Sequence, residues 1–111
     1  PDWDAALWAH NRCNFHHSDP KFMGGDKKQH LTKMSIRQHK SLHKDLNAFL
    51  VKQTDKFGNH MRPQSNNSAD DIQSNFSRIK LLDAMAEFYR QHESKYANAA
   101  NDFFAQHPKL R

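Results

Sequence analysis

Apolar side chains recur at helical spacing from about residue 36 onward, and this pattern restricts the possible folds more than any other feature. Ser35 is a suitable N-cap, and the spacing after it predicts a helix over about 36–53. One face of that helix carries Leu42, Leu46, Phe49 and Leu50. A second helix is predicted to begin at Ser68, where acidic residues favour the positive end of the helix dipole. We therefore expect helices to supply most of the core.

The second apolar stripe is longer than the first. It contains Ile72, Phe76, Ile79, Leu82, Met85, Phe88 and Tyr89. A further apolar group extends this helix or forms a third one that ends before Pro108; its members are Tyr96, Ala99, Ala100, Phe103 and Phe104. The sequence predicts a helical scaffold over 68–107, with the whole stripe from Ile72 to Phe104 in the core.

The first 34 residues have no helical spacing. Apolar anchors at Trp3 and Trp8 indicate at most a short helical turn near the start. Residues 14–17 are a short strand candidate closed by a Ser-Asp-Pro turn, and 31–34 are a second, with Gly24-Gly25 in the loop between them. The fold class predicted for residues 1–111 is a single α+β, α-rich domain, in which a small ββα unit packs against long C-terminal helices.

Composition limits both the core and the partners of this domain. Hydrophobic residues make up 36% of 111 residues, so the core must be thin. No apolar run approaches the roughly 18 residues of a membrane span, and Cys13 alone cannot form an internal disulfide. Seventeen Lys and Arg against 12 Asp and Glu give a net charge of +5, which favours nucleic acid or an acidic protein as partner.

Histidines are concentrated in the predicted ββα unit. His39 and His43 are four residues apart on the first predicted helix, so both lie on one face and can bind one divalent ion. His16 and His17 are adjacent on the first predicted strand, where neighbouring side chains point to opposite faces. One of these two imidazoles can complete a metal site while the other faces the substrate. The pattern does not show which of the two does which.

This arrangement resembles the ββα-metal nuclease motif, also called the HNH or His-Me finger motif. The matching elements are His16-His17-Ser-Asp-Pro20, Gly24-Gly25, His30, and His39-Lys-Ser-Leu-His43. The stretch, about residues 14–50, is similar to the nuclease colicins and to the C-terminal nuclease domains of bacterial polymorphic toxins, including those of Rhs type. One departure is His30, which stands where the family commonly has an Asn that fixes the loop over the metal.

The resemblance implies a role for each histidine of the motif. His16, His39 and His43 would bind one divalent metal ion, and His17 would be the general base, with the exchange of His16 and His17 as the alternative. His30 would be a second catalytic residue that takes the place of the Asn. Zn²⁺ suits three imidazoles for tight binding, and Mg²⁺ or Mn²⁺ can serve for activity in the family.

Basic residues around the motif are candidate phosphate contacts. Seven Lys or Arg lie between Lys21 and Lys44, and we expect Arg12, Lys40 and Lys44 to contact nucleic acid.

The expected function is a metal-dependent endonuclease toxin with little sequence specificity. Its substrate would be DNA, with RNA as the alternative. It would be secreted or injected by its producer as part of a longer protein, act in the cytoplasm of a rival bacterium, and be silenced in the producer by an acidic immunity protein. Two other hypotheses are a zinc-containing module that binds nucleic acid without cutting it and a basic helical interaction domain without metal.

Overall fold

The N-terminal part of the fold is a two-stranded antiparallel sheet. The structure, a computed structural model, describes residues 13–111. Its strands are β1 (Cys13–His16) and β2 (Thr32–Ser35), with His16 opposite Thr32 at one end of the ladder. Both predicted strands are present within one residue of their expected bounds, and His17 lies just beyond the end of β1. The turn expected near Trp3 and Trp8, like Arg12, falls outside the described residues.

Helix α1 (Ile36–Leu50) follows β2 without a connecting loop. Ser35 ends the strand and also caps the helix, because its hydroxyl accepts a hydrogen bond from the Gln38 amide at 3.1 Å. Leu42, Leu46 and Leu50 are buried. The helix begins where the sequence predicted and ends at Leu50, three residues before the expected end near 53. The β1–β2–α1 order is the predicted ββα unit.

Three helices and a terminal turn complete the described chain. They are α2 (Ala69–Asn75), α3 (Arg78–Gln91), α4 (Ala97–Gln106) and a 3-10 turn at Pro108–Leu110. Ser68 caps α2 with a reciprocal capping box to Asp71, so the start predicted for this helix is confirmed. The α+β, α-rich fold class is likewise confirmed.

The expected continuous helix from Ile72 to Tyr89 was wrong. The chain is extended at Phe76, and Ser77 caps a new helix by accepting a hydrogen bond from the Lys80 amide. A second correction concerns Ile79, which we expected in the core but which is 72% exposed. Because α3 starts anew at residue 78, the face it buries is not in phase with the spacing that began in α2.

The core lies between α1, α3, α4 and the inner face of the sheet. Aromatic rings dominate its centre, where the ring of Tyr89 lies 5.4 Å from that of Phe88 and 5.1 Å from that of Phe103. Among residues 13–111, no helix is both long enough and apolar enough to cross a membrane.

Candidate metal centre

Three histidines from two elements converge at the end of the sheet. His16 is the last residue of β1, whereas His39 and His43 lie on successive turns of α1. Because α1 starts directly at the end of β2, its first turns lie beside the neighbouring strand β1. The ring of His16 is 5.3 Å from each of the other two rings, which are 4.5 Å apart. We call these three residues the histidine triad.

The geometry of the triad fits one metal ion. One nitrogen from each ring can be chosen so that all three lie within 4.8 Å of one another, and the Nε2 atoms of His39 and His43 are 2.9 Å apart. Ligand nitrogens at 2.0–2.1 Å from a tetrahedral zinc ion are about 3.3 Å apart, so small ring movements suffice. Three imidazoles leave a fourth position open to water or substrate, as catalytic zinc sites do.

Partial removal from water and mutual repulsion favour the uncharged form of the triad, which is the form that binds metals. Burial, and then the three neighbouring imidazoles, lower the pKa of His16 from 6.5 to about 3. Burial also lowers the pKa of His39, and burial together with His39 lowers that of His43. At neutral pH the three rings are therefore uncharged, and each has a free lone pair for a metal ion.

Tyr89 of α3 determines which nitrogen of His16 faces the metal position. The Tyr89 hydroxyl donates to the Ser18 carbonyl at 2.8 Å and lies 3.1 Å from His16 Nε2. Since its one proton goes to Ser18, the hydroxyl oxygen accepts a hydrogen bond from His16 Nε2–H. The unprotonated Nδ1 of His16 is then the atom available to a metal ion. Burial and nearby carboxylates raise the pKa of Tyr89, so the phenol keeps its proton.

A cleft of about 600 Å³ opens over the triad. It is lined by Phe15, His16, His17, Pro20, Lys21, Phe22, His39, His43 and Ala69. His17, partly exposed, is in the same cleft as the three potential ligands, which is the arrangement that the resemblance implies for a general base. The size is typical of small-ligand sites, which range from about 300 to 1,000 Å³.

The loop that follows His17 is held by Gln29, a residue that the sequence did not single out. The Gln29 side chain accepts a hydrogen bond from the Asp19 amide at 3.1 Å and donates to the Asp19 carbonyl at 2.7 Å. Gly25 lies directly against the Asp19 backbone in this loop. No larger residue fits there, because a Cβ atom would lie 2.0 Å from the Asp19 carbonyl oxygen. Gln29 thus holds the loop, a role that the resemblance implied for His30.

The buried carboxylate of Asp19 joins this loop to the C-terminal helices. Arg78, at the start of α3, binds it through both terminal nitrogens and also donates to the Met23 carbonyl at 2.9 Å. His107 Nε2 also lies 2.8 Å from the same carboxylate. Asp19 is 2% exposed, so these partners compensate for the burial of its charge.

His30 is not part of the cleft. It is exposed on the loop before β2, with its Nε2 3.9 Å from a carboxylate oxygen of Asp102 on α4. The structure therefore does not bring the expected second catalytic histidine to the triad, and the neighbouring Gln29 holds the loop instead.

Two of the three residues expected to contact nucleic acid, Lys40 and Lys44, lie outside the cleft. Lys40 and Lys44 are exposed on α1, and Lys40 lines a separate depression with Arg37 at the start of the helix. Arg12 lies outside the described residues. Asp45 on α1 pairs with Lys95 at 2.9 Å and accepts a hydrogen bond from Tyr96.

Asp19 and Tyr89 support the triad, and they differ in how far the sequence indicated a structural role for them. Asp19 belongs to the His-His-Ser-Asp-Pro turn and was visible as a turn residue, although not as a buried one. Tyr89 had no local signal, because it appeared only as one aromatic residue of an apolar stripe.

Comparison of the chain with protein-family models, curated proteins and solved structures finds no match, so the functional assignment depends on the centre itself.

Proposed function

We propose that this protein is a metal-dependent nuclease that hydrolyses phosphodiester bonds in the cleft over the histidine triad. The observation that carries the proposal is that His17 opens into the same cleft as His16, His39 and His43. A three-histidine site with an open position and a separate imidazole beside it is suited to hydrolysis of a phosphate ester.

Each of these residues would have a separate role in the reaction. His16 Nδ1 and the Nε2 atoms of His39 and His43 would hold the ion. A divalent ion bound there would polarise a phosphate oxygen and offset charge on the leaving 3′ oxygen. His17 would take a proton from water as the water oxygen attacks phosphorus and the bond to the 3′ oxygen breaks. Lys21, on the wall of the cleft, would contact a phosphate next to the one that is cut.

The resemblance of the motif supports a biological setting for this activity. DNA is the proposed substrate, with RNA as the alternative. We propose Zn²⁺ as the bound ion, with Mg²⁺ or Mn²⁺ able to support activity. The protein would be a toxin delivered into rival bacteria, and its charge of +5 favours an acidic immunity protein as the inhibitor in the producing cell.

Plasmid nicking with and without EDTA tests the activity, and two variants separate the roles. His17→Ala is expected to lose cleavage while keeping about one equivalent of metal by atomic absorption. His39→Ala is expected to lose both, because a ligand is gone. If His16→Ala keeps the metal and His17→Ala loses it, the roles of the two residues are exchanged. Cleavage by the parent protein that EDTA does not reduce would refute the proposal.

The nicking assay, together with a gel-shift assay, distinguishes the proposed nuclease from a zinc-containing module that only binds nucleic acid. Such a module would retain metal and shift DNA in a gel without nicking it. The geometry favours catalysis, because closed structural zinc sites have four protein ligands and the cluster found among residues 13–111 has three.

A further inference from the structure

Phe15 exposes an aromatic ring beside the metal centre. The residue is 50% exposed and lines the cleft over the triad. Single exposed apolar residues are common on protein surfaces and do not by themselves indicate a binding site. Phe15 differs because it shares its cleft with Phe22 and with all three potential metal ligands.

The second aromatic wall of the cleft is held in place. Phe22 lies in the 3-10 turn Lys21–Met23, and Met23 anchors that turn in the core with 0% exposure. The Phe22 carbonyl accepts a hydrogen bond from Gln73 Nε2 at 3.1 Å. Phe22 itself is partly buried against the core, so the cleft has one phenyl ring packed on the core and one exposed ring.

Positive charge is scarce inside this cleft. Of the seven basic residues between Lys21 and Lys44, only Lys21 lines it in the part of the chain that the structure describes. Arg37 and Lys40 line a different depression at the start of α1. A cleft shaped to grip a duplex backbone would present cations to both strands. From residues 13–111, this cleft receives aromatic rings and one ammonium group, that of Lys21.

We propose that the cleft binds an unpaired nucleobase stacked on Phe15, so that the preferred substrate is single-stranded nucleic acid. This inference rests on the proposed nuclease function. A base stacked on an aromatic side chain contributes about 1–3 kcal/mol to binding, and every base has a ring face to offer. In a duplex the bases are already stacked and paired, so their faces are not available. Lys21 would bind the phosphate of the same nucleotide.

Cleavage of matched oligonucleotides tests the inference. The substrates are single-stranded and duplex DNA and RNA of one sequence, and the proteins are the parent, Phe15→Leu and Phe15→Tyr. Leucine keeps an apolar side chain on β1 but removes the ring, whereas tyrosine keeps the ring. Phe57→Leu is the matched control, because Phe57 is 78% exposed and does not line the cleft. Melting temperature and bound metal are measured for each protein.

We expect the parent to cut single strands faster than duplexes. For single strands, Phe15→Leu should raise KM about 5- to 150-fold, the equivalent of the stacking energy, with kcat little changed. Phe15→Tyr and Phe57→Leu should behave as the parent does. The DNA and RNA substrates show which sugar is accepted.

Two results would overturn the inference while leaving the nuclease function intact. One is EDTA-sensitive cleavage of duplexes at least as fast as of single strands. The other is a KM for Phe15→Leu equal to that of Phe57→Leu. Failure of the parent protein to cut any of the four substrates or the plasmid would instead refute the nuclease function itself.

Discussion

His16 differs from the other histidines of the triad in having its second ring nitrogen held by a buried hydroxyl. The proton of Tyr89 goes to the Ser18 carbonyl, so His16 is fixed with its proton on Nε2. Such partners orient a ligand ring and select its tautomer, and their loss typically costs 10- to 100-fold in metal affinity. One hydroxyl on α3 therefore prepares a ligand on β1.

Tyr89→Phe is accordingly expected to weaken metal binding by about 10- to 100-fold. It should also lower the free energy of unfolding by about 1–3 kcal/mol, because the Ser18 carbonyl and His16 Nε2–H lose their partner. Competition titration with a metal indicator measures the affinity, and thermal melting measures the stability.

Tyr96→Phe is the matched control for this substitution. It removes another buried tyrosine hydroxyl, whose partners Asp45 and Ser41 are outside the triad. Equal metal affinity in Tyr89→Phe and Tyr96→Phe would show that the Tyr89 hydroxyl does not set the tautomer of His16.

Among the elements, the loop from His17 to Leu31 joins the two strands and forms one side of the cleft. Its shape depends on the Gln29 side chain, the buried Asp19 carboxylate and the close approach of Gly25 to the Asp19 carbonyl. The Asp19 backbone adjoins Ser18, whose carbonyl holds the Tyr89 hydroxyl. A shift of this loop would therefore disturb the Tyr89 hydroxyl and, through it, the His16 ring.

Gly25→Ala should move this loop, because the new Cβ atom would meet backbone atoms that cannot rotate away. We expect a loss of stability of about 1–3 kcal/mol together with weaker metal binding. Gly58→Ala is the comparison: its φ of +85° also disfavours alanine, but a Cβ there meets nothing within 4 Å. That variant should lose some stability and keep its metal affinity. Unchanged metal binding in Gly25→Ala would argue against the coupling.

Helix α1 carries two groups of side chains on different faces. His39 and His43 line the cleft, whereas Arg37, Lys40 and Lys44 are exposed at a spacing of three and four residues. This stripe is a candidate surface for the nucleic-acid backbone on either side of the cut.

The salt dependence of binding tests this stripe in the inactive His17→Ala protein. With four to six phosphate contacts, the slope of log K against log[salt] should be roughly −3 to −5. Lys40→Ala with Lys44→Ala should make the slope shallower by about one to two units. Lys52→Ala with Lys56→Ala, which removes two exposed lysines beyond the end of α1, should leave it unchanged. A slope near zero for the starting protein would exclude nucleic acid as its partner.

At the scale of the whole molecule, the histidine triad and its supporting contacts join the two halves of the described chain. The triad comes from β1 and α1, but its supporting groups come from α3 and from the end of α4. A metal ion bound only by the folded protein would stabilise all of these contacts together.

Metal should therefore raise the melting temperature substantially. A thousandfold excess over Kd adds about 4 kcal/mol, which corresponds to roughly 15 °C or more for a domain of this size. Calorimetry of the metal-loaded and EDTA-treated protein measures the difference, with His39→Ala as the variant that should show none. A difference of one or two degrees in the parent protein would count against a metal site in the triad.

Local patterns in the sequence determined much of this fold. Caps and side-chain spacing act within a few residues, so Ser35, Ser68 and the His39–His43 pair could be interpreted from their neighbours alone. The same local method missed the cap at Ser77, because an apolar spacing that continued across it predicted one long helix. The wrong prediction that Ile79 lies in the core has the same cause.

Tertiary structure alone decided how the site is completed. Tyr89 and His16 are 73 residues apart in sequence, and Arg78 and Asp19 are 59 apart, so no local pattern connects them. Their contacts exist because the packing of apolar faces places α3 against α1 and against the turn Lys21–Met23 that follows Asp19. The sequence determined that His39 and His43 can share one ion, since helical geometry is local, but it left open whether His16 or His17 joins them. Which nitrogen of His16 is free for that ion depends on a hydroxyl that only the folded core brings within reach.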